Sequence, residues 1–111
     1  MAKTTIPEEI KQEVTKTIDA FNKKYFKSRM NQVSYFAEYK GKFLYLTRNE
    51  YGQVSPVVRL TWTGDKKNWD FAIFRWTTER YDPDEDYFPG AKYIDGTVEG
   101  AMRAGLEAYP V

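Results

Sequence analysis

The sequence predicts an α+β domain in which an N-terminal helix packs on a four-stranded antiparallel meander and a C-terminal helix closes the chain. Three observations carry this. Apolar residues recur at intervals of three and four from Ile6 to Tyr25, four runs between residues 33 and 81 are dense in β-branched and aromatic residues, and helical spacing returns from Val98 to Leu106. Strands that follow one another with short turns pair as neighbours, so the order helix, strands, helix gives two layers. A chain of 111 residues buries one core and is too short for two, so residues 1–111 are expected to form a single domain.

The first helix is expected over residues 6–27. Thr5-Ile6-Pro7-Glu8 has the spacing of a capping box, and Pro7 is tolerated in a first turn. Ile6, Ile10, Val14, Ile18, Phe21 and Tyr25 then form one stripe, with Glu9, Lys11, Gln12, Glu13, Lys16 and Lys23 facing away. Residues 33–40 and 42–48 read as a hairpin about Lys40-Gly41, pairing Ala37 with Leu44 and Tyr35 with Leu46. Asn49-Glu50-Tyr51-Gly52 makes the next turn.

A second hairpin occupies residues 56–81 and organises the rest. Gly64-Asp65-Lys66-Lys67 interrupts two strand-forming runs, and pairing Thr63 with Asn68 sets Trp62 opposite Trp69, Leu60 opposite Phe71 and Val58 opposite Ile73. The expected core is Ile10, Val14, Ile18 and Phe21 of the helix against Leu44, Leu46, Leu60, Phe71 and Ile73. Asp82-Pro83-Asp84-Glu85-Asp86 and Tyr87-Phe88-Pro89-Gly90 have no periodicity and read as a loop. Asp95 is the expected cap of the last helix, where Val98, Met102 and Leu106 share a face; Gly100 and Gly105 weaken such a helix unless it docks closely.

The opening helix, the run Pro56-Val57-Val58-Arg59-Leu60-Thr61-Trp62, the run Trp69-Asp70-Phe71-Ala72-Ile73-Phe74 and the closing helix together resemble a group of small bacterial domains of unknown function. The resemblance spans most of the chain and implies the fold; it supplies no catalytic residue.

Composition narrows the chemistry. Seventeen Lys and Arg against 16 Asp and Glu leave no global field for nucleic acid, although a local basic patch remains open. Without cysteine or histidine, thiol and imidazole catalysis and the usual zinc sites are excluded. The N-terminal residues do not read as a secretory signal, and nothing approaches the roughly 20 apolar residues that span a bilayer, so a cytoplasmic, membrane-free protein is expected. We expect no enzyme and no cofactor.

Four constellations are candidates for function. Asp82, Asp84 and Asp86 have the opening spacing of a calcium loop, but Tyr87 and Tyr93 stand where Gly and Glu are needed, favouring a solvated acidic loop. Lys23, Lys24, Lys27 and Arg29 suit the negative end of a helix dipole, or a phosphate contact. Glu38 and Asp70, both central in strands and on the less buried face, could form a carboxylate pair of the kind that hydrolases use, although such residues more often pair with Arg59 or Lys across strands. The strongest is the sheet face turned away from the first helix, which collects Phe36, Phe43, Tyr45, Arg59, Phe74 and Trp76. Three outcomes stay open for it: the closing helix covers it, a protein partner or a second copy docks on it, or it stacks single-stranded nucleic acid or a sugar.

Overall fold

A computed structural model describes residues 5–27, 32–82 and 90–110. Helix α1 (Glu8–Tyr25) is followed by β1 (Val33–Lys40), β2 (Phe43–Glu50), β3 (Gln53–Thr61), β4 (Asp70–Arg75) and β5 (Arg80–Asp82), then a 3-10 turn (Ala91–Tyr93) and helix α2 (Val98–Ala108). The strands form one antiparallel sheet in sequence order, β1-β2-β3-β4-β5. The class is α+β, with five strands rather than four.

Helix α1 begins later than its stripe. Pro7, extended at φ −63° and ψ 150°, is the N-cap and offers no side-chain bond, so Thr5 and Glu8 form no capping box. What holds the entry is Ile6, whose N–H donates to the Gly41 carbonyl at 3.2 Å and whose side chain is buried. Glu8 and Glu9 lie in the first turn and Lys23 and Lys24 in the last, each favourable to the helix dipole. Val14, Ile18 and Phe21 are buried, and Ile10 is partly so. Asn22 is buried as well: its side-chain amide donates to the Tyr35 carbonyl at 3.1 Å and its oxygen accepts from the Tyr35 N–H at 2.9 Å. It thus serves part of the free edge of β1 as another strand would.

The second hairpin has the expected register, with Val58 opposite Ile73, Leu60 opposite Phe71 and the Trp62 and Trp69 rings 4.9 Å apart beyond the last pair. The first hairpin is corrected by two residues. Tyr35 pairs with Arg48, Ala37 with Leu46 and Tyr39 with Leu44, about a turn at Gly41–Lys42. An even shift leaves every side chain on its own face, so Leu44 and Leu46 are buried as expected. At the turn into β3, Tyr51 and Gly52 both have positive φ, +54° and +91°, the backbone of a two-residue type I′ hairpin.

A bulge in β3 shapes the core. Leu46 pairs with Val58 but Thr47 pairs with Pro56, so Val57 is an extra residue, and Val57 and Val58 are both buried. Pro56 has no N–H to give a ladder, which suits a strand irregularity. Against this doubled valine lies Gly105 of α2, where a Cβ would stand 2.5 Å from Val57 Cγ1 and 2.9 Å from the Tyr35 hydroxyl oxygen. Helix α2 therefore docks by backbone approach, and Val98, Ala101 and Met102 join the core built by α1. Thr97, not Asp95, is its N-cap. The Thr97 Oγ1 accepts from the Gly100 N–H at 3.1 Å, while the Asp95 carboxylate accepts from the Thr97 N–H and hydroxyl and so orients the cap.

Truncating the centre of the stripe tests this core. Ile18→Ala is expected to lower the unfolding free energy by about 2 to 4 kcal/mol, the cost of a buried aliphatic truncation. A urea midpoint equal to that of the parent would show the stripe unburied.

Candidate functional site

Both helices lie on one side of the sheet, so α2 does not cover the other face. That outer face is built by alternation. Phe36 and Glu38 of β1, Phe43, Tyr45 and Thr47 of β2, Arg59 of β3, Ala72 and Phe74 of β4 and Tyr81 of β5 point away from the helices, with Tyr45 opposite Arg59, Arg59 opposite Ala72 and Phe74 opposite Tyr81.

The rings touch in a row. Centroids lie 6.2 Å apart for Phe43 and Tyr45, 5.5 Å for Tyr45 and Tyr81, 5.2 Å for Tyr81 and Phe74, and 5.0 Å for Phe74 and Trp76, the last two edge to face. Tyr45 and Tyr81 start on strands three positions apart and meet because the intervening Ala72 is small. Ala72 is consequently only 3% exposed. The face is graded: Phe74 is buried at 9%, Phe43, Tyr45 and Tyr81 are partly buried, and Trp76 is 52% exposed. Phe74 is thus a packing residue of this cluster, and Trp76 is its open end. Phe36 shares the face by register on the outermost strand, opposite Thr47.

Arg59 stands at the centre. Its guanidinium carbon lies 4.9 Å from the Phe43 ring and 5.5 Å from the Tyr81 ring, a double cation–π contact. Its Nε is buried and meets no acceptor. Among the described residues the ion pairs are Lys11–Glu8, Arg48–Glu50, Lys66–Glu13 and Arg75–Asp82, and none includes Arg59. Burial pushes the Tyr81 hydroxyl up to about 12, with Tyr45 and Glu38 adding to the rise and Arg59 opposing it. Tyr81 stays protonated at neutral pH and can donate.

Tyr81 is the site residue that sequence reasoning missed. The turn through residues 76–79 lacks glycine and proline, and Glu79 takes the left-handed φ of +53° instead, so nothing in the residue types announces a fifth strand.

The remaining candidates do not assemble. Glu38 and Asp70 lie on β1 and β4 with two strands between them, about 14 Å at the usual strand spacing. They form no carboxylate pair; Glu38 instead accepts from the Thr47 hydroxyl at 3.1 Å. Asp82 pairs with Arg75 at 3.2 Å, while Asp84 and Asp86 lie outside the described residues, as does Arg29 of the basic cluster. Among the described residues no three acidic side chains converge as metal ligands. Lys24 lines a groove of about 240 Å³ with Tyr25, Lys92, Tyr93 and Arg103, but Asp95 and Glu99 line it too and offset most of the charge. A cleft of about 320 Å³ between α1, the β3–β4 loop and the start of α2 holds Glu13, Lys66, Asp95 and Thr97; these are engaged with one another, Lys66 with Glu13 at 3.4 Å and Asp95 with Thr97.

The chain matches no protein-family model, no curated protein and no solved structure. Among the described residues no helix is long and apolar enough to cross a membrane.

Proposed function

We propose that this protein is a non-enzymatic interaction module that binds a protein partner through the outer face of its sheet. The observation that carries the reading is the row of contacting rings from Phe43 to Phe74, with Arg59 in its midst, on the face that both helices leave free, continued at the sheet margin by Trp76, which also lines a groove with Tyr109 and Pro110. Aromatic residues and arginine dominate interface energetics, and Trp76, 52% exposed, offers an anchor that the fold itself does not bury. The lack of cysteine suits a reducing, cytoplasmic setting. Nucleic acid or a small ligand on the same rings is the second reading, favoured by the stacking surface they form.

The test is selection of displayed random peptides on the parent, followed by binding to variants. Trp76→Ser and Tyr45→Ser are expected to weaken the enriched peptides at least tenfold, while Trp76→Ser changes the unfolding free energy by only about 1 kcal/mol, the worth of one ring pair. Phe74→Ser, by contrast, is expected to destabilise by about 3 to 5 kcal/mol because it opens a cavity. Enriched peptides that bind both ring variants as well as the parent would remove the outer face from the function. Strong salt dependence of binding to single-stranded DNA, exceeding any peptide affinity, would favour the second reading.

A further inference from the structure

We propose that the partner presents an acidic side chain amid apolar residues, and that Arg59 is the residue that selects it. The proposal rests on the reading of the outer face as a protein-binding surface. Among the described residues, an arginine planted between two rings, with a buried Nε that no acceptor reaches and no carboxylate in ion-pair contact, lacks the counterpart that half-buried guanidinium groups ordinarily have. The two rings restrict its plane, so it is held ready for a carboxylate, which matches its fork with two parallel hydrogen bonds. Arg59 as a whole remains partly exposed.

The alternatives fit less well. Arg59 lies on β3, the middle strand of five, so a second copy docked about a twofold axis through the centre of the face would bring Arg59 against its own equivalent. Two like charges facing each other in a desolvated centre oppose that dimer. A nucleic acid needs several cations along its backbone, whereas Arg59 shares the face with the exposed carboxylates of Glu38 and Asp70. A single carboxylate flanked by apolar groups uses the central Arg59 guanidinium and the rings together.

The experiment uses two blocked peptides, acetyl-Phe-Glu-Phe-amide and acetyl-Phe-Gln-Phe-amide, titrated into the full chain. Trp fluorescence and the Arg59 Nε–H resonance, sheltered from exchange by burial, are followed. The parent is expected to bind the Glu peptide at least tenfold more tightly than the Gln peptide, with a shift of the Nε–H resonance, and the ratio is expected to fall to about one in Arg59→Gln. Arg59→Lys, which keeps charge without the fork, is expected to retain only part of the preference, and Tyr45→Ser to weaken both peptides while keeping the ratio. Equal binding of the two peptides by the parent, a ratio that survives Arg59→Gln, or no binding of either would overturn the proposal. So would sedimentation of the parent as a dimer that Trp76→Ser dissociates. Each of these leaves the broader interaction reading to its own test, because peptides selected without regard to charge report on the rings alone.

Discussion

Arg48→Ala is expected to destabilise the protein by about 3 to 5 kcal/mol, the range for removing one member of a buried ion pair. Arg48 is 1% exposed. Its Nε donates to the Glu50 carboxylate at 2.6 Å, its Nη2 donates to the Tyr109 carbonyl, and its Nη1 reaches the Tyr35 hydroxyl at 3.5 Å. Ser55 donates to the other Glu50 oxygen at 3.1 Å. Truncation therefore strands a partly buried carboxylate, removes the Arg48 bond to the Tyr109 carbonyl and opens a cavity. The Tyr35 hydroxyl, which burial holds far above its ordinary pKa, keeps its own bond to the Met102 carbonyl at 2.9 Å. Because most of the loss comes from the stranded partner, replacing both charges, Arg48→Met with Glu50→Gln, is expected to recover a substantial part of it. Urea unfolding of the parent and the two variants decides the matter, and a single truncation within about 1 kcal/mol of the parent would contradict the network.

Gly105→Leu is expected to cost about 3 to 5 kcal/mol, although leucine is the better helix former by nearly 1 kcal/mol. A Cβ at this position already falls 2.5 Å from Val57 and 2.9 Å from the Tyr35 oxygen, so α2 must lift away from β3. Lifting breaks the bond from Tyr35 to Met102 and exposes Val98 and Met102. The bulge at Val57 is the other half of this contact. Gly105→Ala combined with Val57→Ala is accordingly expected to be less destabilised than the two single changes added together, a coupling that a double-mutant cycle measures. Strict additivity would mean that the helix approaches the strand less closely than the geometry states.

Residue pattern alone determined α1, α2, the pairing of β3 with β4 and the division of the sheet into two faces, because each rests on local periodicity or on turn residues. The stripe from Ile6 to Phe21 and the loop at Gly64-Asp65-Lys66-Lys67 needed no tertiary partner to be legible. Phe43, Tyr45, Arg59 and Phe74 were legible as one face for the same reason: a strand alternates sides, and a register error of two residues does not disturb it; Trp76 stands in the turn after β4, beyond that alternation. Tertiary structure decided what remains. Strand β5 is three residues long and exists only because β4 offers it an edge, which brings Tyr81 over Ala72 to Tyr45. The side on which α2 docks depends on Gly105 meeting a bulge that no local preference marks. Arg48 alternates onto the core side like Leu44 and Leu46, but its burial became tolerable only when Glu50, Tyr35 and the Tyr109 carbonyl came together from three parts of the chain. The contacts to Tyr35 and Tyr109 join residues far apart in sequence, and local preference has no means of recording them.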